Sequence, residues 1–414
     1  MSDDPVPGRW SSPPERPILG SPTNPPNPGS SPNRRILGGY SPDSPSMLPK
    51  SPTLGGHSPH SLNAPPNPSV LSGPGFAALD RIPWLPVALL PTPVHPLDRL
   101  RTHMGPGCPR ILIKRDDLTG LALGGNKSRK LEYLLAAARA AGADTLITCG
   151  AAQSNHALQT AAAGREFGFD VRCVLYGSPA TAEILTGNLR LHAMLDTPIR
   201  WVSMREGETR REQAVRRGIE EEARAVVAAG GVPYRIPTGG STGVGALGYV
   251  RAVSELMGQL PDEDRSALRR IYFASGSGGT HAGLVVGAAL AGWPVACVGV
   301  EIEPIPPGPD GVSPFNRAVE TIAREAADLV GPGRAITGAD IVLDARYTGP
   351  AYGVETSEGR EAARLLFRTE GILLDPVYTA KAFAAMLGAI GREELAPSDT
   401  VMFWHTGGAA GIFA

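Results

Sequence analysis

The sequence predicts an α/β fold of open, mostly parallel sheets covered by helices, and two patterns predict it. Short apolar runs alternate with helix-length stretches over most of the chain, and the turns that end those runs are rich in Gly, Ser, Asn and Thr. Strands buried on both faces read as continuous apolar runs, and regular interleaving with helices marks parallel crossover units. In chain order, ILIKRDD (111–117) precedes a helix that starts after Asn126, and TLITCG (145–150) precedes one running through Phe167. VRCVLYG (171–177) leads to a helix near Ala182 to Leu195, and IRWVSM (199–204) to one over 207–229. YRIP (234–237) pairs with 244–259, IYFAS (271–275) with 280–291, and VACVGVEI (295–302) with 315–329. Helices follow over 356–370 and 378–390, and VMFWHT (401–406) closes the series. Ligands of such sheets bind where strands end and helices begin, so the turns carry the functional information.

A chain of 414 residues exceeds one ordinary core, so two domains with additional segments are expected. Its 39 Lys and Arg balance 40 Asp and Glu, a formal charge of -1 that points to neither nucleic acid nor a membrane surface. No apolar run reaches the roughly 18 to 20 residues that a spanning helix needs. The start, MSDDPVPGRW, lacks a basic region followed by an apolar stretch, so no secretory signal is expected. Cys108, Cys149, Cys173 and Cys297 lie far apart, without the pairing of a disulfide scaffold or zinc ribbon. Cys149 and Cys173 fall in strand-like runs as buried small hydrophobes, and a reducing, cytoplasmic setting is expected.

Residues 1–75 have a different texture. They hold 19 of the 41 prolines, mixed with Ser, Gly and Asn, and repeat Ser-Pro in SPTNPPNPGSSPN, SPDSPS, KSPT and HSPHS. Such a segment buries too little apolar surface to offset its ordering entropy, so a disordered arm is expected, with globular sequence from Phe76 onward.

Five strand-end turns carry chemistry. In GGNK (124–127), Gly124 and Gly125 permit a tight turn, Asn126 is a candidate helix cap, and Lys127 opens the helix. Positive potential there lowers a lysine's pKa, and such a lysine is the usual nucleophile for a Schiff base. Arg129 or Lys130 is placed to reach a phosphate. In CGAAQSNH (149–156), Gln153, Ser154 and Asn155 at a helix start form either a carboxylate or phenolate site or a plain capping motif. ASGSGGTHAG (274–283) has the strand, glycine loop and helix that cradle a phosphate, with hydroxyls from Ser277 and Thr280. It lacks the Gly-Lys-Ser/Thr ending of a Walker loop and the dinucleotide fingerprint. A similar turn, TGGSTGVGALG (238–248), reads as a flexible connection. DPVYTAK (375–381) presents Tyr378 and Thr379, WHTGG (404–408) presents Thr406, and TGPAYG (348–353) presents Tyr352. A reactive lysine, a phosphate cradle and hydroxyls for a ring nitrogen together describe a pyridoxal 5'-phosphate (PLP) site.

On these motifs the sequence resembles the D-cysteine desulfhydrase and 1-aminocyclopropane-1-carboxylate (ACC) deaminase family. The resemblance runs from about Phe76 to the C-terminus through LPTPVHPLDRL, IKRDDLTGLALGGNKSRKLEYLL, GAAQSNH, SGSGGTHAG, LDPVYTAKA and HTGG. It implies a fold-type II PLP enzyme, tryptophan synthase β-like, with a smaller domain of about 126–240 inserted in a larger one and a homodimeric assembly. It implies that Lys127 carries PLP, and that Lys130, Ser277, Gly278, Gly279 and Thr280 hold the phosphate. Asn155 meets the phenolic oxygen, and Thr406 belongs to the cofactor site. Gln153, Ser154 and Asn155 receive the substrate carboxylate, with Ser154 also a catalytic candidate, while Tyr352 and Tyr378 face the substrate. The ACC deaminases look like PVYEGK and HLGG where this chain has Thr379 and Thr406, and like Gln where it has His156. A carboxylate keeps the pyridine nitrogen protonated, as opening a cyclopropane demands; a hydroxyl does not, and suffices for β-elimination. The reading that follows is D-cysteine desulfhydrase, ahead of ACC deaminase and L-cysteate sulfo-lyase, with a non-catalytic PLP-binding or scaffolding protein as the remote alternative.

Overall fold

A computed structural model describes residues 74–177, 185–206, 208, 210–331 and 335–414. The expected arm, apart from Pro74 and Gly75, lies outside the described residues, as do parts of the expected starts of the helices at 182 and 207. The strands are β1 (Val94–Pro96), β2 (Arg110–Arg115), β3 (Thr145–Ala151), β4 (Asp170–Tyr176), β5 (Ile199–Val202), β6 (Pro233–Ile236), β7 (Leu268–Ser275), β8 (Ala296–Glu301), β9 (Val342–Asp344) and β10 (Thr400–His405). Between them run α1 (Asp98–Met104), α2 (Lys127–Ala140), α3 (Asn155–Phe167), α4 (Gly187–Met194), α5 (Arg211–Ala228), α6 (Gly243–Gln259), α7 (Asp262–Ala267), α8 (Gly279–Leu290), α9 (Pro314–Val330), α10 (Ser357–Glu370) and α11 (Thr379–Gly391). Among the described residues no helix is long and apolar enough to cross a membrane.

These strands form two sheets, one ordered β1-β2-β10-β7-β8-β9 and the other β5-β4-β3-β6. Every pairing is parallel except β1 with β2. The last strand is central: Met402 of β10 pairs with Leu112 of β2 on one side and Ile271 of β7 on the other. Its apolar run is buried throughout, as a strand flanked by parallel neighbours and covered by helices requires. The expected strands and longer helices are present within a few residues. The short edge strands β1 and β9 and the short helices α1 and α7 were not among them, because three to seven residues carry too little periodicity to register. Local chemistry sets the helix starts. Ser154, Thr242 and Thr356 each accept a backbone N–H in the first turn of α3, α6 and α10, and Ser313 with Pro314 opens α9.

A buried ionic node ties α2 to the larger sheet. Asp116, just past β2, accepts from Arg129 Nε and Nη2 at 2.9 and 2.8 Å, Tyr249 Oη at 2.6 Å, Trp404 Nε1 at 2.8 Å and Thr92 Oγ1 at 2.8 Å. Glu255 of α6 accepts from Arg129 Nη1 and Nη2 at 2.9 Å each and from the Lys114 ammonium, and Arg129 Nη2 also donates to Thr92 Oγ1 at 3.0 Å. Burial alone would raise the Asp116 pKa, but the Arg129 charge and its hydrogen bonds hold it well below the ordinary carboxylate range. Arg129 is therefore committed to this node and does not reach toward a phosphate.

Candidate active site

The turns after β3, β6, β7, β8 and β10 and the start of α2 line one cavity of about 660 Å³. They are carboxyl ends of parallel strands, where an open α/β sheet leaves its crevice. Lys127 lines it from the first position of α2. Gly124 and Gly125 hold φ of 71° and 126°, and a Cβ on Gly124 would lie 2.0 Å from the Asp117 carbonyl oxygen, so the turn needs glycine there. Burial drives the Lys127 pKa down to about 8, with the Asp375 carboxylate pulling it partly back. Desolvation, and not the neighbouring positive potential expected from sequence, is the main cause.

Asn126 does not cap α2. Its N–H donates to the Thr406 carbonyl at 2.9 Å, its Nδ2 donates to Thr280 Oγ1 at 2.9 Å, and its Oδ1 accepts from Lys127 Nζ at 2.7 Å. One side chain thus joins the amine, the first turn of α8 and the end of β10, a bridging role that its sequence context as a cap concealed.

The glycine-rich turn after β7 opens α8 with Gly278 at φ 87°, and Ser277, Gly278 and Thr280 line the cavity. The Gly279 N–H donates to Ser241 Oγ at 3.1 Å, and Ser241 Oγ donates to Ser277 Oγ at 2.8 Å. Lys130 is buried, lines the cavity and donates to the Gly239 carbonyl at 2.9 Å. Burial, reinforced by the Lys127 charge, pushes its pKa well below the lysine range. The 238–241 turn, read as a flexible connection, is therefore packed against the cradle.

At the start of α3, Ser154 and Asn155 line the cavity; Ser154 Oγ accepts the Ala157 N–H at 3.2 Å, and Asn155 Oδ1 accepts from Asn188 Nδ2 at 2.7 Å. Gln153 is placed elsewhere. Its Oε1 accepts the Asn188 N–H at 2.8 Å, its Nε2 donates to the Thr186 carbonyl at 3.2 Å, and it does not line the cavity. The amide of Asn188, invisible to local sequence reading, draws it to α4. His156 lines the cavity and is kept neutral, its pKa lowered by burial and then by Lys127 and Lys130.

On the opposite wall, Tyr352 and Tyr378 share a short hydroxyl–hydroxyl hydrogen bond, their rings edge to face at 6.1 Å. Burial raises both phenol pKa values. Thr406 lines the cavity, whereas Thr379 is fully buried with its Oγ1 donating to Asp375 Oδ1 at 2.6 Å. Asp375 also accepts the N–H groups of Val377, Tyr378 and Thr379 at 3.0, 2.9 and 2.9 Å, so its carboxylate caps α11. Beyond the tyrosines, Arg211 of α5 donates to both oxygens of Glu303 at 2.8 and 3.1 Å, 5.8 Å above the Tyr352 ring. Neither residue of that pair was anticipated.

This donor set fits PLP. The cavity volume lies in the usual range of cofactor sites, a lysine of lowered pKa enters it, and a helix N-terminus with hydroxyls and a second lysine stands beside it. Residues 86–407 match the family model described as pyridoxal-phosphate dependent enzyme. The chain belongs to that family. This PLP-dependent enzyme is 38% identical over 348 residues to the 1-aminocyclopropane-1-carboxylate deaminase of Burkholderia vietnamiensis (strain G4 / LMG 22486), covering 81% of this chain and 97% of the relative. It is equally 38% identical over 346 residues to the D-cysteine desulfhydrase of Salmonella typhi, again covering 81% and 97%. A crystal structure described as that of an ACC deaminase homologue superposes with a TM-score of 0.71 at 35% identity, over 82% of this chain and 96% of that one. The likeness to this neighbour, together with the two mostly parallel sheets, places the fold in type II.

Proposed function

We propose that this PLP-dependent lyase acts on D-cysteine by β-elimination, giving pyruvate, ammonia and hydrogen sulfide with uptake of one water. The observation that carries this reading is the wall made by Tyr378, Thr406, Gly407 and Gly408, which offers a phenol, a hydroxyl and backbone, while Glu303, which also lines the cavity, is paired with Arg211, and the Asp375 carboxylate is taken up by the start of α11. PLP bound there supplies an electron sink for the carbanion left when the α-proton departs. With those carboxylates engaged elsewhere, a leaving group as good as a thiolate fits better than an unactivated ring carbon.

Lys127 is the proposed attachment residue, and its Nζ, with a pKa near 8, is the proposed base for the α-proton. Ser154 and Asn155, at the N-terminus of α3, receive the substrate carboxylate, where free N–H groups and the helix dipole favour an anion. Lys130, Ser277, Gly278 and Thr280, which line the cavity, hold the phosphate, while the Gly279 N–H is engaged by Ser241. In the Tyr352–Tyr378 pair one hydroxyl donates to the other, which leaves the acceptor's own proton available to the departing sulfur. Raised pKa values keep both phenols protonated at neutral pH, which suits an acid and not a base.

The second reading, ACC deamination, is favoured by the equal identity to the Burkholderia enzyme. Sulfide from D-cysteine, 2-oxobutyrate from ACC and sulfite from L-cysteate are measured side by side with one preparation. The D-cysteine reading expects sulfide release to exceed the other two by at least tenfold in kcat/KM. A preparation that turns over ACC faster than D-cysteine sinks it.

A further inference from the structure

The loop between β6 and α6 carries none of the residues expected to bind the cofactor, yet it lies against Lys130, Ser277 and Gly279 of the phosphate cradle. Gly239 and Gly240 adopt φ of 70° and 60°, and a Cβ on Gly239 would stand 2.0 Å from Ser277 Oγ. Only glycine lets the two turns approach so closely. Ser241 lines the cavity, accepts the Gly279 N–H at 3.1 Å and donates to Ser277 Oγ at 2.8 Å. Its hydroxyl has no task within its own element, because α6 is capped by the next residue, Thr242, whose Oγ1 accepts the Gly245 N–H at 3.1 Å.

We infer that Ser241 is a positioning residue for the cofactor phosphate, acting through Ser277 and the Gly279 peptide. A hydroxyl has one proton to donate and two lone pairs to accept with. Because Ser277 Oγ receives the proton of Ser241, its own proton is left for an anion at the start of α8. A hydroxyl that already accepts a hydrogen bond is also polarised into a better donor. Meanwhile Ser241 Oγ holds the Gly279 N–H and fixes the peptide plane that begins the helix. Removing Ser241 frees the Ser277 rotor and leaves that N–H without its partner.

The inference rests on the phosphate docking at residues 277–280, and the experiment separates failure of the one from failure of the other. Equilibrium dialysis of PLP against the full chain is compared for wild type, Ser241→Ala, Ser277→Ala and the double variant, with the 31P resonance of bound PLP as a second readout. Ser241→Ala is expected to weaken PLP about tenfold and move the 31P signal, a size set by one lost hydrogen bond on the path to a charged group. Since part of its effect passes through Ser277, the double variant is expected to lose less than the product of the two single losses. Wild-type affinity in Ser277→Ala would count against the docking itself. Weakened binding there, with Ser241→Ala within twofold of wild type or with strictly multiplying losses, overturns the role of Ser241. Should the alanine variant give no soluble protein, Ser241→Cys is measured instead, with a severalfold loss and a shifted 31P signal expected. Wild-type values of both overturn the proposal.

Discussion

With the proposed attachment at Lys127, the lowered pKa of that amine is expected to set how fast the chain takes up its cofactor as pH changes. Only the neutral amine attacks a carbonyl. An ordinary lysine at pH 7.5, with a pKa of 10.5, is neutral in about one molecule in a thousand; with the value near 8 in this cavity, roughly a quarter are neutral. Burial thus raises the reactive fraction by about two hundredfold at that pH. Cofactor-free protein mixed with PLP in a stopped-flow cell, followed by the visible absorbance of the bound cofactor, reports the rate. It should rise about tenfold per pH unit up to 7.5 and flatten above roughly 8.5. Because the Asp375 carboxylate raises the Lys127 value, Asp375→Asn should move the bend to lower pH. The sign for stability agrees. A lysine whose folded pKa lies below its unfolded one destabilises the fold in full below about 8, and that burden disappears as pH rises toward 10.5. A rate that keeps climbing tenfold per unit to pH 10 refutes the reasoning, as does unchanged uptake in Lys127→Ala.

Two further outcomes follow from the geometry. Asp116→Ala strands Arg129 Nε and the Tyr249 and Trp404 donors in a dry interior, a loss of about 3–5 kcal/mol for one partner of a buried ion pair, so the cofactor-free protein should melt about four to seven degrees lower; a drop under two degrees by calorimetry shows the node is not holding α2. Tyr378→Phe and Tyr352→Phe each remove one hydroxyl of the pair, and kcat for sulfide release should fall by about 10²–10⁴ in at least one of them. Rates within threefold of wild type in both exclude the pair as the proton source.

How much of this was legible depended on whether a residue's task was local. GGNK and SGSGGT announce themselves because a backbone that must turn through positive φ or open toward an anion needs glycine in any context. Gln153 and Asn155 look alike in sequence, and both meet Asn188, some 35 residues on, yet Gln153 spends its side chain on Asn188 and Thr186 at the start of α4 while Asn155 still lines the cavity. The bridging role of Asn126, and the choice between Arg129 and Lys130, depend likewise on Thr280, Asp116 and Glu255, which come from other segments. The 238–241 turn looked empty because a glycine-rich stretch says that something approaches closely without saying what.

The same dependence on distant partners changes which residue distinguishes the two named activities. Thr379 and Thr406 both depart from the ACC deaminase pattern in sequence, yet they are not equivalent in space. Thr379 Oγ1 donates to Asp375 Oδ1, its N–H goes to the same oxygen, and it does not line the cavity, so a ring nitrogen has no access to it. Thr406 does line the cavity, and its carbonyl also holds Asn126 in place beside Lys127. Under the proposed function, Thr406 and Tyr378 are the hydroxyl groups of these two turns that line the cavity, and the weight placed on Thr379 passes to Thr406. Asp375 reinforces this. Its oxygens accept three backbone N–H groups and one hydroxyl, and a carboxylate so engaged caps α11 instead of turning toward a ring. The case for eliminating a thiolate over opening a cyclopropane thus rests on one hydroxyl at the mouth of β10.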